Sequence, residues 1–126
     1  GGLLIIDYGY LEKKMKDSLQ SVYKHNFNNI LNNFGKSDIT YNINFFLLKK
    51  IAKKLNLRIA GLTNQRKFLI KLGILYRAEI LAKNLHFSKK ADIYYRLKRL
   101  IDKNFMGELF KVMLLTNKNI KFKVGF

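Results

Sequence analysis

Cysteine, proline and tryptophan are absent from the 126 residues, and histidine occurs only twice. Without cysteine the chain has no disulfide framework, no cysteine-ligated zinc and no cysteine nucleophile. His25 and His86 are too few for a histidine-rich metal site. No apolar run approaches the roughly 20 residues of a membrane-spanning helix, and the first residues do not have the basic-then-apolar pattern of a signal peptide. We therefore expect a soluble chain in a reducing compartment.

Acidic residues are also scarce: 8 Asp and Glu stand against 25 Lys and Arg, and the formal net charge is +17. Such an excess is typical of proteins that bind nucleic acid, a membrane surface or an acidic protein. The lysines, however, are spread along the chain and form no block. Lysine, asparagine and isoleucine are used heavily throughout, as in a compositionally biased genome. We favour this compositional explanation over nucleic-acid binding.

Three apolar segments predict strands at residues 3–8, 57–62 and 109–116, and the fold class is α/β. The first segment has no polar alternation, which predicts a parallel-sheet strand buried on both faces. Gly9 would free the backbone to turn as it leaves the sheet. A helix predicted at 45–55 joins the first two strands, and a right-handed parallel crossover is the favoured topology for such a unit.

Polar residues mark the predicted helix ends. Asn44 is a plausible N-cap of the helix at 45–55, and Asn56 can end it in the left-handed conformation. Thr63 or Asn64 would cap a short helix that Gly73 breaks. Further helices are predicted at 74–84 and after a Ser88 cap, the latter with an apolar stripe of Ile93, Leu97, Leu100 and Ile101.

Residues 10–43 have no sustained period. A short helix at 16–24 is the only element predicted there, and 26–37 is asparagine-rich and turn-prone. A connection of this length is often a lid or a binding loop, and the alternative is a surface excursion without a role. The end of the chain, 117–126, is basic and predicted to be irregular.

The chain has too few strands to close a two-faced sheet, because sheet edges and one face would stay open. It also opens on Gly1-Gly2 before a strand, without an initiator methionine. We therefore expect the chain to be the C-terminal piece of a longer protein. A split or decayed gene product, whose missing half docks on the exposed sheet edge, is an alternative.

No glycine-rich nucleotide loop, Walker motif, HExxH, GxSxG or EF-hand pattern is present. The best chemical signal is position, since ligands of open α/β sheets bind outside the carboxyl ends of the strands. Asp7, Tyr8 and Gly9 lie at such an end, and the long loop would bring further side chains there: Gln20, Tyr23, His25, Asp38 and Thr40. On the residues alone, the favoured interpretation is structural: Asp7 caps a turn, His25 lies at the surface, and Asp38 with Thr40 forms an Asx turn.

The chain resembles the C-terminal part of the MidA family of S-adenosylmethionine-dependent methyltransferases, and the similar segments occur in the family's order. They are Leu3 to Tyr10, Asp17 to Gln20 with Val22 and His25, Gly35 with Asp38 to Thr40 and Phe45, Gln65 with Phe68-Leu69 and Leu72 to Ile74 with Arg77, Met106-Gly107 with Leu109 to Val112, and Gly125-Phe126. Each segment alone is weak, whereas the ordered series is quite specific.

The resemblance implies a Rossmann-like sheet whose last strand runs antiparallel between its neighbours. On this template 3–8 is the fifth strand, 57–62 the sixth and 109–116 the inserted seventh. Residues 1–126 would be the C-terminal segment of a single methyltransferase domain, with 65–103 as a helical insertion.

The resemblance also implies transfer of a methyl group from S-adenosyl-L-methionine to an arginine of a protein, with a subunit of respiratory complex I (NADH:quinone oxidoreductase) as the substrate during its assembly. The acceptor-side cleft would contain Asp7, Tyr8, Gln20, His25, Asp38 and Thr40, without an assigned catalytic residue. Such residues would orient the guanidinium for an in-line approach.

The family's glycine-rich cofactor loop and acidic ribose-binding strand lie N-terminal to this stretch. We therefore expect no cofactor-binding residue and no metal site here, weak or no S-adenosyl-L-methionine binding, and an inactive isolated chain. The implied partners are the missing N-terminal half and a protein substrate, with no membrane span and no nucleic acid. The location would be cytoplasmic in a bacterium and the mitochondrial matrix for eukaryotic relatives.

The alternative function is a non-catalytic basic binding module for RNA or an acidic protein surface. It rests on the net charge and on Tyr94 and Tyr95 beside Arg96, Lys98 and Arg99, which could form a stacking and phosphate-binding face. An ordinary amphipathic helix explains the same residues.

Overall fold

The computed structural model describes residues 1–118 and 124–126. Within these two ranges, seven strands and five helices follow one another in the order β1 (Gly2–Tyr10), β2 (Gln20–Tyr23), β3 (Asn26–Asn28), β4 (Asp38–Thr40), β5 (Ile43–Asn44), α1 (Phe45–Lys54), β6 (Arg58–Asn64), α2 (Gln65–Lys71), α3 (Ile74–Ala82), α4 (Phe87–Ile101), α5 (Met106–Leu109) and β7 (Phe110–Thr116). The prediction of an irregular end at 117–126 lies partly outside the described residues, at 119–123. In the described ranges, no helix combines the length and the apolar character needed to cross a membrane.

The main sheet has the strand order β5-β1-β7-β6. Strand β7 runs antiparallel to both β1 and β6, so these two strands are parallel to each other. Helix α1 lies between them in the chain, as the predicted strand–helix–strand unit requires. The three predicted strands, the α/β class and the antiparallel strand inserted between parallel neighbours are confirmed.

The predicted helix caps are confirmed where polar side chains supply them. The Leu47 amide donates to Asn44 Oδ1 at 3.1 Å at the start of α1, and Asn56 follows the helix with a φ of 54°. The Lys67 amide donates to Asn64 Oδ1 at 2.9 Å, and Gly73 has a φ of 83° after α2. The Ser88 cap is wrong, because α4 already begins at Phe87 and its N-cap residue makes no side-chain hydrogen bond.

The core lies between α1 and the main sheet. Phe45 and Met113 are fully buried there, together with Ala52 and Leu115. Val112 is fully buried on the opposite face of β7, because successive residues of a strand point to opposite faces. Strand β7 is therefore covered on both faces.

Strand β1 is less buried than its sequence predicts. Leu4, Ile6 and Tyr8 are 48%, 45% and 39% exposed, so the prediction that both faces are buried is wrong for this chain. These residues alternate with Ile5, which packs on the core under α1. The described elements cover one face of β1 only in part. On the side away from β7, the described strands pair with β1 only at Gly9 and Tyr10.

The prediction that the chain turns at Gly9 is wrong. Gly9 is part of β1 and is buried. A β-carbon at Gly9 would lie 2.5 Å from the Ile43 carbonyl oxygen and 2.5 Å from the Phe45 ring. Glycine is therefore needed at this position for close packing against β5 and the start of α1.

The helix predicted at 16–24 is also wrong. Strand β2 is the centre of a small antiparallel sheet with the order β3-β2-β4. Lys24 and His25 connect β2 to β3 with φ values of 49° and 65°, and Tyr23 pairs with Asn26 across them. Two positive φ values in a two-residue loop are typical of a type I′ hairpin, a turn usually signalled by Asn-Gly.

We expect Gly9→Ala to destabilise the fold by about 1–3 kcal/mol, because the added methyl group must displace the Phe45 ring or β5. Gly2→Ala is the matched control, since a β-carbon there meets its nearest neighbours at 3.4 and 3.5 Å. The measurement is urea unfolding followed by circular dichroism. Equal free energies of unfolding for the two variants would contradict the packing at Gly9.

Met113→Ala should cost about 2–5 kcal/mol, because it leaves a cavity at the centre of the core. The control is Leu31→Ala, which removes an apolar side chain that is 70% exposed. The same unfolding measurement compares the two. A loss at Met113 no greater than that at Leu31 would contradict the burial of Met113 in the core.

Candidate functional site

A cavity of about 340 Å³ lies at the carboxyl end of β1, where the chain leaves the sheet and later returns as β5. Tyr10 and Asn44, which pair across β1 and β5, both line it. Met15 and Tyr41 come from the segments on either side of the small sheet. The cavity thus occupies the position at which open α/β sheets bind ligands.

Hydrogen bonds from several segments hold the wall of this cavity. The Lys16 amide donates to Tyr10 Oη at 3.1 Å, and the Asn42 amide donates to Ser18 Oγ at 3.0 Å. Asn44 Nδ2 donates to Met15 Sδ at 3.4 Å while its Oδ1 caps α1. Asn44 is buried, and both its amide nitrogen and its amide oxygen are hydrogen-bonded, which makes it a positioning residue for the cavity wall.

An exposed ion pair lies beside the cavity. Lys16 Nζ is 2.6 Å from Glu12 Oε1 and 5.1 Å from the centroid of the Tyr10 ring. The hydrogen bond from Lys16 lowers the pKa of the Glu12 carboxyl below 4.5. The Lys16 ammonium thus lies over the Tyr10 ring and pairs with a carboxylate at the wall of the cavity.

Lys111, near the start of β7, is the other notable charge. Desolvation lowers the pKa of its ammonium below 10.5, and its Nζ donates to the Glu108 carbonyl oxygen. Asp7, Lys111 and Asn64 form one row across β1, β7 and β6. A second cavity, of about 290 Å³, includes Lys111 and Asn64.

The predicted site residues fall into two groups. Asp7 and Tyr8 lie within β1, where Asp7 Oδ1 accepts from the Tyr8 amide at 2.7 Å. The Tyr8 ring packs on Phe110 with 4.2 Å between centroids. Asp7 therefore lies inside a strand and does not cap a turn.

The other four residues belong to the small sheet. Gln20 and Thr40 are direct cross-strand partners, and Asp38 pairs with Val22 two residues along. Because side chains repeat every second residue, Gln20, Asp38 and Thr40 share one face, and Asp38 and Thr40 form no Asx turn. His25 lies in the β2–β3 turn and is exposed, as predicted for a surface histidine.

The sequence did not identify Tyr10, Met15 and Tyr41 as cavity residues. Tyr10 is the last residue of the apolar strand β1, and this position was a usable signal. Met15 and Tyr41 meet only because the small sheet brings the two segments together, and no local pattern indicates that. Within the described residues, no group of three His, Cys, Asp or Glu could hold a metal ion.

Comparisons with known proteins place the chain among methyltransferases. Residues 1–63 match the family described as "Putative S-adenosyl-L-methionine-dependent methyltransferase". The chain is 30% identical over 117 residues to "Protein arginine methyltransferase NDUFAF7, mitochondrial" of Danio rerio, covering 93% of this chain and 27% of the relative. The protein of that name from Mus musculus is 31% identical over 116 residues, covering 91% of the chain and 26% of the relative.

Two solved structures from Burkholderia thailandensis share the fold. One is an uncharacterized COG1565 superfamily protein, with a TM-score of 0.82 at 23% identity over 99% of this chain and 35% of that one. The other is a COG1565 superfamily member bound to S-adenosyl-homocysteine. It has a TM-score of 0.81 at 23% identity, and the match covers 99% of this chain and 34% of that one. The chain thus spans about a quarter of the length of the vertebrate relatives and about a third of the bacterial ones.

The lowered pKa of Lys111 predicts a dependence of stability on pH. The folded chain releases this proton at a lower pH than the unfolded chain does, so the stability contributed by the group rises with pH between its lowered pKa and 10.5. We expect the free energy of unfolding of the unchanged chain, minus that of Lys111→Met, to increase as the pH rises from neutral to about 10.

Urea unfolding at several pH values measures this difference. Lys13→Met, which removes an exposed ammonium after β1, controls for the loss of one charge. A difference between the chain and Lys111→Met that stays constant with pH would contradict the desolvation of this amine.

Proposed function

Because this chain belongs to the MidA family of S-adenosylmethionine-dependent methyltransferases, we propose that it forms the acceptor side of a methyltransferase site. The observation that carries the proposal is the cavity at the carboxyl end of β1, in a sheet whose antiparallel β7 lies between parallel strands. The full protein would then transfer a methyl group to arginine, the substrate in the names of the vertebrate relatives.

The family resemblance extends the proposal to a complex I subunit as the substrate, methylated in support of assembly. The vertebrate relatives are named as mitochondrial, which supports the mitochondrial matrix as the location for eukaryotic members. For a bacterial member we propose the cytoplasm.

We assign residues 1–126 to the C-terminal segment of one methyltransferase domain, with 65–103 as a helical insertion. Helices α2, α3 and α4 support this division, since they lie within 65–103, after β6 and before β7. The preceding part of the domain would pair with Gly2–Tyr8 on the side where no described strand lies, and would cover Leu4 and Ile6. That docking fits the partial cover of β1 by the described elements.

The residues of this chain do not fit the donor S-adenosyl-L-methionine itself. Such a cofactor is held by a glycine-rich turn between a strand and a helix, with an acidic residue for the ribose. Strand β1 is followed by residues 11–19, which contain no helix and no glycine. At the end of β6, the Asn64 side chain itself caps α2. We therefore assign the cofactor to the rest of the domain.

The acceptor side needs groups that bind and orient a guanidinium. Gln20 and Thr40 lie side by side, and their amide and hydroxyl oxygens can accept from its N–H groups. Asp38 on the same face adds a carboxylate that attracts the cation. Asp7, Tyr8 and His25 complete the proposed acceptor side; like Gln20, Asp38 and Thr40, they do not line the cavity itself but belong to β1 and the small sheet that adjoin it.

The test uses the full-length parent protein, an arginine-containing peptide and tritiated S-adenosyl-L-methionine. Gln20→Ala with Thr40→Ala should lower kcat/KM by about 10- to 100-fold, because the acceptor nitrogen loses its alignment. Lys36→Ala, an exposed change between β3 and β4, is the control. Equal methylation by the variant and the control, or methylation of a peptide with lysine in place of arginine, would contradict the proposal.

The isolated chain should bind S-adenosyl-homocysteine weakly or not at all. Isothermal titration of the chain with this ligand measures the affinity, and a thermal melt confirms that the chain is folded. Saturable binding in the micromolar range would show that the cofactor site has been assigned to the wrong part of the domain.

A further inference from the structure

Helices α3 and α4 enclose an apolar groove away from the carboxyl end of β1. It has a volume of about 390 Å³, and its floor is formed by Ile74, Ala78 and Leu81 of α3 and by Ile93, Leu97 and Leu100 of α4. Both sets follow the i, i+4, i+7 spacing, so each helix gives the groove one stripe about two turns long. We call this feature the α3–α4 groove.

The fold leaves this groove partly uncovered. Helix α4 has 15 residues, and none of them is buried. Leu81 on α3 is 50% exposed. Aliphatic stripes on two adjacent helices are normally covered by a further element, so this surface is suited to an added apolar partner.

Arginines line the two sides of the groove. Arg77 comes from α3 and Arg96 from α4. Asp92 also lines it and lies 2.9 Å from Arg96, but the two side chains are 54% and 74% exposed. Such an exposed pair contributes little, so Arg96 can exchange Asp92 for an incoming carboxylate.

The surrounding segment is strongly basic as well. Between residues 65 and 103, eleven Lys and Arg stand against three Asp and Glu. A field of this sign attracts acidic partners and repels basic ones.

We propose that the α3–α4 groove binds an acidic amphipathic helix of a partner protein. Apolar residues at i, i+3, i+4 and i+7 of that helix would contact the aliphatic floor, and acidic residues on its flanks would meet Arg77 and Arg96. This is a binding activity separate from methyl transfer, and it does not depend on the function proposed above.

The same observations disfavour RNA as the occupant. Single-stranded nucleic acid binds through stacking on aromatic side chains, whereas the groove floor is aliphatic. Tyr94, Tyr95 and Lys98 do not line the groove. The protein arm of the basic-module alternative is therefore favoured.

The direct test measures fluorescence anisotropy of a labelled peptide titrated with the 126-residue chain. The probe is a peptide of about four helical turns with leucines on one face and glutamates elsewhere. The comparison peptide has the same composition in an order that spreads the leucines around the helix. We expect the amphipathic peptide to bind at least tenfold more tightly, with an affinity that falls as salt is added.

Charge reversal locates the site. Arg77→Glu with Arg96→Glu should weaken binding of the glutamate peptide by about tenfold or more and strengthen binding of the matching lysine peptide. Lys83→Glu with Lys98→Glu makes the same change in net charge just after α3 and on α4, at residues that do not line the groove, and should change affinity less than about threefold. Circular dichroism melts confirm that both variants are folded.

Three results would overturn the proposal. The first is equal affinity for the amphipathic and the scrambled peptides. The second is an equal effect of the two double variants, which would reduce the interaction to net charge. The third is tighter binding of a single-stranded RNA oligonucleotide than of the peptide, together with loss of that RNA binding in Arg77→Glu with Arg96→Glu.

Discussion

The antiparallel pairing of β7 with both β1 and β6 is the constraint on which the rest of the structure depends. It holds two parallel strands apart and turns their carboxyl ends toward the same edge of the sheet. Met113 is buried against α1. Val112 is buried on the opposite face of β7, where α2 and the Phe126 ring pack. This arrangement places both cavities at this edge of the sheet and places Lys111 in the wall of the second cavity.

Features set by neighbours in the chain could be predicted from the sequence. The period of α1, its Asn44 cap and the left-handed Asn56 depend on a few adjacent residues, and all three agree with the structure. The small sheet could not be predicted, because its turn uses Lys24 and His25 where glycine or asparagine is usual. The burial of β1 was overestimated. An apolar run indicates that both faces of a strand are suited to burial, but it does not show whether the described elements cover both faces.

The location of the candidate site could be predicted from the sequence, whereas the residues that form its wall could not. The end of β1 could be located in advance, because the position of a strand end relative to a sheet is a general rule. The wall of the cavity could not, since Met15, Tyr41 and Asn44 come together only after the small sheet has formed. Asn44 illustrates the point, because its role as a cap is local and its contact with Met15 spans 29 residues.

Along Gly2–Tyr8, no described strand pairs with β1 on the side away from β7, and this has a consequence for the behaviour of the chain in solution. Gly2 to Ile6 contain no charged residue to discourage a second copy from adding its own strand there. The long-range repulsion between copies that each carry seventeen excess positive charges opposes such self-association instead. Because salt shortens the reach of this repulsion to about 8 Å at physiological ionic strength, colloidal stability should decline as ionic strength rises, contrary to ordinary salting-in.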